Sequence, residues 1–259
     1  MLFGLFHRRR LRVDIASVSE CGPVRAENQD HVLVNRRGLA FCVADGMGGG
    51  EGGGVASEIV CRRIASALSK RVDFADRVKR VDEAVRSADK EVREYAAQKG
   101  FKQMGTTATV LIVDGDDAAE VAVGNIGDSR VYRLRQGSLV QLTVDHNMSC
   151  ELRRRGTGRG QQGQLADIRA AMLSHVLTRA VGVGDVSKLD WRKFDMREGD
   201  MFLLCSDGVH GAMSDKAIQG ALTTASHARE AVAILREFVL ASGAHDNFSA
   251  IVVKIGGRK

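Results

Sequence analysis

The amino-acid sequence predicts an α+β fold, with a central β-sandwich of two antiparallel sheets flanked by pairs of α-helices. Two observations support this prediction. Short apolar segments typical of strands come in consecutive blocks, and segments with helical periodicity lie between the blocks instead of after every strand. Blocks of closely spaced strands pair antiparallel, whereas strict alternation of strands and helices would favour a parallel sheet.

The predicted strands are short apolar runs bounded by turn residues. The third run stops at Asp45-Gly46, a pattern typical of a buried strand that ends in a functional turn. Gln136-Gly137 predicts a hairpin, because Gly readily takes positive φ. The predicted strands are 14–19, 31–35, 39–44, 107–113, 120–126, 131–135, 138–141, 189–195, 201–205 and 249–255.

Helices are predicted where apolar residues recur at spacings of three, four and seven. Their opposite faces are charged, so we expect each helix to pack one face on the core. In the last helix, Val232, Leu235 and Phe238 are predicted to point inward. The predicted helices are about 55–68, 78–95 and 228–240.

The composition is that of an ordinary globular protein. Of 259 residues, 44% are hydrophobic and 27% charged, which argues against disorder and against a coiled coil. The net charge of +6 is mild, and the few aromatic residues disfavour stacking on single-stranded nucleic acid. The five cysteines form no CxxC pair, and neither a signal peptide nor a membrane span is predicted. We therefore expect a cytoplasmic monomer with reduced thiols that binds no nucleic acid.

The chain is predicted to form one domain. We assign residues 1–12 to a basic N-terminal tail and 13–259 to the domain. Within it, 149–175 is polar and rich in Arg and Gly. This composition predicts either a mobile flap or a loosely ordered insertion.

Three aspartates each stand at the end of an apolar strand: Asp45, Asp207 and Asp246. If these strands are neighbours, the carboxylates meet at one rim of the sheets and repel one another unless a cation lies between them. Sites with only oxygen ligands favour Mg²⁺ or Mn²⁺ over zinc. For any single one of these aspartates, a simple turn would be the better explanation, and it is the repetition at three apolar strand ends that favours a metal site.

A glycine-rich segment follows Asp45: seven of residues 46–54 are Gly, just before a predicted helix. Such a backbone can approach an ion or a phosphate closely, and a helix N-terminus favours anions. The segment is not a P-loop, because GxxxxGK[ST] is absent. A dinucleotide site is also disfavoured, since Asp45 would repel a pyrophosphate unless a metal intervened.

Two further segments carry candidate site residues. Arg25 stands five residues before Asp30 and could clamp a phosphate with its guanidinium fork, although most exposed arginines are only solvated. Asp128 lies in Gly127-Asp-Ser-Arg130 after a predicted strand, where a hairpin turn is an equally good interpretation.

Together, these segments resemble the motifs of the bacterial type 2C metal-dependent serine/threonine protein phosphatases. They occur in the family's order, and the resemblance runs from about Ala16 to Ile255. The motifs are Arg25…Glu27-Asn-Gln-Asp30, Asp45-Gly-Met-Gly-Gly49, Gly105-Thr-Thr-Ala108, Gly127-Asp-Ser-Arg130, Leu177-Thr-Arg-Ala180, Cys205-Ser-Asp-Gly208 and Asp246-Asn247.

The resemblance implies a metal cleft at one end of the β-sandwich, holding two Mn²⁺ or Mg²⁺ ions. By motif, Asp45 bridges both ions and the Gly46 carbonyl binds one of them. Asp207 and Asp246 complete the coordination of the other ion. Asp30 belongs to the first cluster through a water.

The resemblance also implies the reaction. Arg25 is the implied phosphate clamp, and a hydroxide bridging the two metals attacks phosphorus directly, without a covalent enzyme intermediate. The implied catalytic residues are Arg25, Asp45 and Asp207. Asp128 matches a ligand of a third, weaker metal site.

Two positions depart from the family pattern. Met47 stands where animal members carry a His after Asp-Gly, so that residue cannot protonate the leaving group here. Gly211 replaces an Asp that often reaches the third metal, which predicts a weak or absent third site. The segment 149–175 aligns with the family's flap.

We therefore predict hydrolysis of phosphoserine and phosphothreonine in proteins. The expected partners are phosphorylated proteins, namely a serine/threonine kinase and its substrates. One alternative is a catalytically weak regulator that binds phosphoproteins, although intact Asp45, Asp207 and Asp246 disfavour it. A nucleic-acid binder is a further alternative, which rests on charge alone.

Overall fold

The structure is a computed structural model that describes residues 11–48, 52–70, 72–115, 119–154, 173–184 and 188–258. The strands are β1 (Leu11–Glu20), β2 (Asp30–Asn35), β3 (Ala40–Met47), β4 (Gly105–Thr106), β5 (Ala108–Val113), β6 (Glu120–Ile126), β7 (Arg130–Arg135), β8 (Ser138–Gln141), β9 (Asp190–Asp195), β10 (Met201–Cys205) and β11 (Phe248–Arg258). The helices are α1 (Gly52–Ala67), α2 (Phe74–Lys99), α3 (Met148–Arg154), α4 (Asp207–His210), α5 (Asp215–Thr224) and α6 (Ala228–Ala241).

The strands form two antiparallel sheets, which confirms the predicted fold class. One sheet has the order β1-β11-β10-β7-β8. The other has the order β2-β3-β5-β6-β9, with β4 paired to β3. The helix pair α1 and α2 covers the second sheet, and α5 and α6 cover the first.

Alternating residues of the inner strands face two different cores. In β3, Phe41 and Val43 point between the sheets and pack in the cluster that also holds Phe202. Ala40 and Cys42 point the other way, towards α1 and α2. Because both faces are covered, these strands are continuous apolar runs rather than alternating ones.

Helix ends follow ordinary capping chemistry. Asp73 caps α2 by accepting the Asp76 N–H, and Gly100 ends the helix with φ of 74°. Helix α5 was not predicted, although Ser214 caps it by accepting the Ala217 N–H. The inward prediction for Phe238 is wrong, since its side chain is 42% exposed and Val239 is buried instead.

The described boundaries differ from two of the predicted ones. Strand β1 begins at Leu11, so Leu11 and Arg12 of the assigned tail belong to a sheet, and residues 1–10 lie outside the described residues. Of the predicted flap, Ser149–Arg154 is helical in α3, while 155–172 lies outside the described residues. No described helix has the length and apolar character needed to cross a membrane.

Candidate metal centre

The predicted aspartates come together at one end of the β-sandwich. Asp30 begins β2 and lies directly opposite Asp45 in β3. Asp207 follows β10 and Asp246 precedes β11, and these two strands are antiparallel neighbours. Asp128 follows β6 at the same end. The antiparallel register therefore gathers residues that are far apart in the sequence.

Small residues allow the segments that carry these aspartates to pack closely. A Cβ on Gly208 would lie 2.0 Å from the Asn247 carbonyl oxygen, so only Gly fits after Asp207. A Cβ on Gly46 would lie 2.1 Å from the Gly53 carbonyl oxygen, where β3 meets the start of α1. In the described part of the glycine-rich segment, the absence of side chains thus allows β3 to contact the start of α1.

Burial and mutual repulsion raise the pKa values of Asp45 and Asp207. For Asp45, burial comes first, and the charges of Asp30 and Asp207 raise the pKa further. The pKa of Asp207 is raised by burial and by Asp246, although a hydrogen bond with Asp45 lowers it. Such carboxyls would be relieved by a cation placed between them.

Asp30 is buried below the cleft, with 3% of its surface exposed. Its Oδ2 accepts a hydrogen bond from Ser206 Oγ at 2.7 Å, whereas its buried Oδ1 has no hydrogen-bond partner within the described ranges. Burial raises the pKa of Asp30 to about 6, against the effect of the Ser206 hydrogen bond. The free Oδ1 is an acceptor that a water on a bound cation could satisfy.

Asp128 occupies a tight turn whose Gly127 has φ of 103°. Burial, followed by the charge of Asp207, raises the pKa of Asp128 to about 7. The nearby Arg130 is committed to Asp145, with Nη2 to Oδ2 at 2.7 Å. His210 Nε2 donates to the main-chain oxygen of Asp128 at 3.1 Å, so the imidazole supports the turn.

Arg25 lies at the mouth of the site. Its Nη2 donates to Asp246 Oδ2 at 2.8 Å, and both side chains are partly exposed. The hydrogen bond with Asp246, and more weakly the charges of Asp207 and Asp45, raise the pKa of Arg25. The guanidinium is thus placed within electrostatic reach of the predicted metal ligands.

The loop that carries Arg25 is fixed by Asn247, a role that sequence reasoning missed. Asn247 Oδ1 accepts the Gln29 N–H, and its Nδ2 donates to the carbonyl oxygens of Cys21 and Glu27, each at 2.9 Å. An Asn directly between Asp246 and a strand was the available signal, because its amide can both accept and donate.

A family model described as protein phosphatase 2C matches residues 24–241. The chain belongs to the protein phosphatase 2C family. This membership confirms the resemblance that the motifs indicated.

Named relatives of this phosphatase 2C chain are bacterial. It is 31% identical over 245 residues to the serine/threonine protein phosphatase PstP of Mycobacterium tuberculosis, covering 93% of this chain but 44% of that protein. The chain thus spans less than half the length of that relative. It is 27% identical over 248 residues to the protein phosphatase PhpP of Streptococcus pneumoniae, covering 94% of this chain and 98% of that one.

The structure superposes on the catalytic domain of PstP in complex with two manganese ions. The TM-score is 0.82 at 30% identity, with 95% of this chain and all of that chain covered. In this phosphatase 2C chain, no three Asp, Glu, His or Cys side chains of the described residues already surround one point as ligands. The oxygen-only donors, the raised pKa values of Asp45 and Asp207, and Asp30 Oδ1, which has no partner within the described residues, nonetheless fit a hard divalent cation.

The aspartates other than Asp30 open onto a cleft of about 1020 Å³. Arg25, Asp45, Asp128, Asp207 and Asp246 all line it, and Gly46 and Met47 form part of its wall. No cysteine is found among the described residues that line the cleft. The cleft of this phosphatase 2C chain therefore brings carboxylate oxygens and one arginine together, and its described lining offers no thiol nucleophile.

Proposed function

We propose that this protein is a metal-dependent protein phosphatase that hydrolyses phosphoserine and phosphothreonine. The observation that carries the proposal is one cleft in which Asp45, Asp128 and Asp207 have raised pKa values beside Arg25. Membership of the protein phosphatase 2C family and the names of the relatives support the choice of reaction.

The proposed ligands are oxygen atoms only. Asp45 and the Gly46 carbonyl would hold one Mn²⁺ or Mg²⁺, Asp45 with Asp207 and Asp246 a second, and Asp30 would act through water. When bound, the two ions would supply an acidic water and neutralise charge on the phosphoryl group. Asp128 is proposed for a third, weaker site, since Gly211 brings no side-chain oxygen.

The chain's own residues hold the substrate and the ligands in place. Arg25 is proposed to bind the phosphate oxygens through its fork, and Asn247 keeps the Arg25 loop against Asp246. Thr107 accepts the Asp45 N–H and donates its own N–H to the Asp45 carbonyl, both at 2.9 Å, which fixes this backbone. We propose direct transfer of the phosphoryl group to water.

The test is hydrolysis of a phosphothreonine peptide with Mn²⁺ and with Mg²⁺. Turnover should be lost with EDTA and in Asp207→Ala, and turnover that persists without metal would overturn the proposal. Binding of the phosphopeptide without any turnover would instead support the phosphoprotein-binding regulator. The proposed setting is a cytoplasmic monomer that opposes a serine/threonine kinase by dephosphorylating its substrates.

A further inference from the structure

The cleft continues beyond the aspartates along a second wall, which we call the distal arm: Phe101, Lys102, Gln103, Met104 and Val183. The loop before β4 leads directly to the metal end, because Gly105 and Thr106 of β4 pair with Met47 and Gly46 of β3. The arm is therefore continuous with the strand that carries Asp45.

The distal arm exposes apolar surface inside the cleft. Val183 is 39% exposed, and Val176, which lines the same cleft outside the arm, is 46% exposed. Phe101 is half-buried and stacks on Tyr95, with ring centroids 6.4 Å apart. Exposed apolar side chains that share a cleft are typical of a surface that receives a partner.

Lys102 gives the distal arm its charge. Arg25 and Lys102 are the two Lys or Arg side chains among the described residues that line the cleft. Lys102 is exposed and makes no ion pair within the part of the chain that the structure describes. Glu27 and the aspartates line the cleft near Arg25, whereas Lys102 is the one charged residue of the distal arm.

We propose that the distal arm binds the segment of the phosphoprotein next to the phosphorylated residue, and that Lys102 selects an acidic side chain there. This inference rests on the proposed function. The occupant is indicated by the continuity of the arm with the metal end and by the charge of Lys102, which has no ion-pair partner among the described residues. Specificity is thereby assigned to a residue away from the reacting atoms.

The chain sets a limit on how far the acidic side chain lies from the phosphate. Thr107 donates its N–H to the Asp45 carbonyl, and Lys102 is five residues before it. Five residues of chain span at most about 17 Å, which an extended peptide covers with about five residues of its own. The acidic residue is expected within that distance of the phosphothreonine.

The test uses phosphothreonine peptides of equal length. Two Glu residues are placed within five positions before or after the phosphothreonine, and matched peptides carry Lys or Ala there. Only one of the two Glu peptides, the one whose Glu residues reach Lys102, should be preferred. With Mn²⁺, its kcat/KM should be about two- to fivefold above that of the matched Lys peptide, because its KM is lower. Added salt should reduce this preference.

Variants separate the role of Lys102 from general charge. Lys102→Glu should reverse the preference and Lys102→Arg should keep it. Lys216→Ala removes an exposed lysine on α5 outside the cleft and should behave as the unaltered chain. Equal kcat/KM for the Glu and Lys peptides, or an unchanged preference in Lys102→Glu, would overturn the inference alone. Absence of metal-dependent hydrolysis of every peptide would overturn the proposed function with it.

Discussion

Carboxylates of the candidate metal centre and buried carboxylates elsewhere in the fold have different partners. Asp200 is 1% exposed and accepts hydrogen bonds from Arg135 Nε and Nη2, each at 2.7 Å. Asp30 is 3% exposed, yet no arginine or lysine pairs with it among the described residues: its Oδ2 accepts from Ser206 Oγ, and its Oδ1 has no hydrogen-bond partner there.

The same contrast separates two aspartates that are close together. Arg130 lies in the motif with Asp128 but binds Asp145 through both Nε and Nη2. Asp128 is left beside Asp207, and its pKa is raised. A buried carboxylate without a cation is costly. A carboxylate that is paired with a buried arginine is therefore stabilised within the fold and belongs to a structural site. Carboxylates left without them mark the place where a metal ion is expected.

Asp207→Asn should show the largest difference between the metal-centre carboxylates and the arginine-paired ones. The amide cannot replace a charged oxygen ligand, so kcat/KM for a phosphothreonine peptide with Mn²⁺ should fall at least about a thousandfold. The same change removes like-charge repulsion, so the free energy of unfolding in EDTA should not fall. Steady-state kinetics and urea unfolding measure both quantities. Loss of stability together with a loss of activity below tenfold would contradict the comparison.

Asp200→Asn should have the opposite pattern. It leaves the guanidinium of Arg135 with less compensation at a buried site, so the free energy of unfolding should fall by about 3 kcal/mol. Urea unfolding measures the loss. The kcat/KM of the folded variant should stay within about twofold, because Asp200 lies outside the cleft. A variant with full stability and no activity would reverse the assignment of the two sites.

The sequence was sufficient to find the cleft aspartates that follow or precede apolar strands. Asp45, Asp207 and Asp246 stand at positions that hydrophobic patterning makes visible. The motif order then identified the family, and with it Arg25 and Asp30.

Patterning could not show which carboxylates lack a cation. The hydrogen bond between Ser206 and Asp30 joins residues 176 positions apart, and that between Arg25 and Asp246 joins residues 221 apart. Such contacts depend on strand order and register, which local patterns do not specify. Asn247 was missed for the same reason, since its partners lie in a distant loop.

The pH dependence of stability should distinguish Asp128 from the paired carboxylates. Its pKa is raised to about 7 by burial and like charge, so the folded chain keeps a proton that the unfolded chain releases. Stability from this group is therefore present below pH 4 and is lost as the pH rises to about 7. In EDTA at pH 8, Asp128→Asn should be more stable than the unaltered chain by up to about 4 kcal/mol.

Urea unfolding at pH 4, 6 and 8 tests this difference. At pH 4 the variant and the unaltered chain should have similar stability, and the gap should open between pH 4 and 7. The difference between the two proteins is the quantity to measure, because His210, whose pKa burial lowers to about 4, titrates in the same range with the opposite sign. A gap that is constant with pH would contradict the raised pKa of Asp128.

Arg25 tests the comparison from the other side, because it is an arginine placed within the cleft. Its side chain is 54% exposed, so its ion pair with Asp246 should contribute under about 1 kcal/mol to the free energy of unfolding. Arg62 is a matched control, since it is 52% exposed and paired with Glu91 outside the cleft.

Arg25→Ala should lower kcat/KM about tenfold, largely through KM, because one charge-assisted contact to phosphate is lost. Arg25→Lys should recover only part of the loss, since an ammonium lacks the fork. Arg62→Ala should leave kcat/KM unchanged, and urea unfolding should place all three variants within about 1 kcal/mol of the unaltered chain. If Arg25→Ala instead lost stability and kept its kcat/KM, Arg25 would belong with the structural arginines, and the cleft would need another phosphate-binding residue.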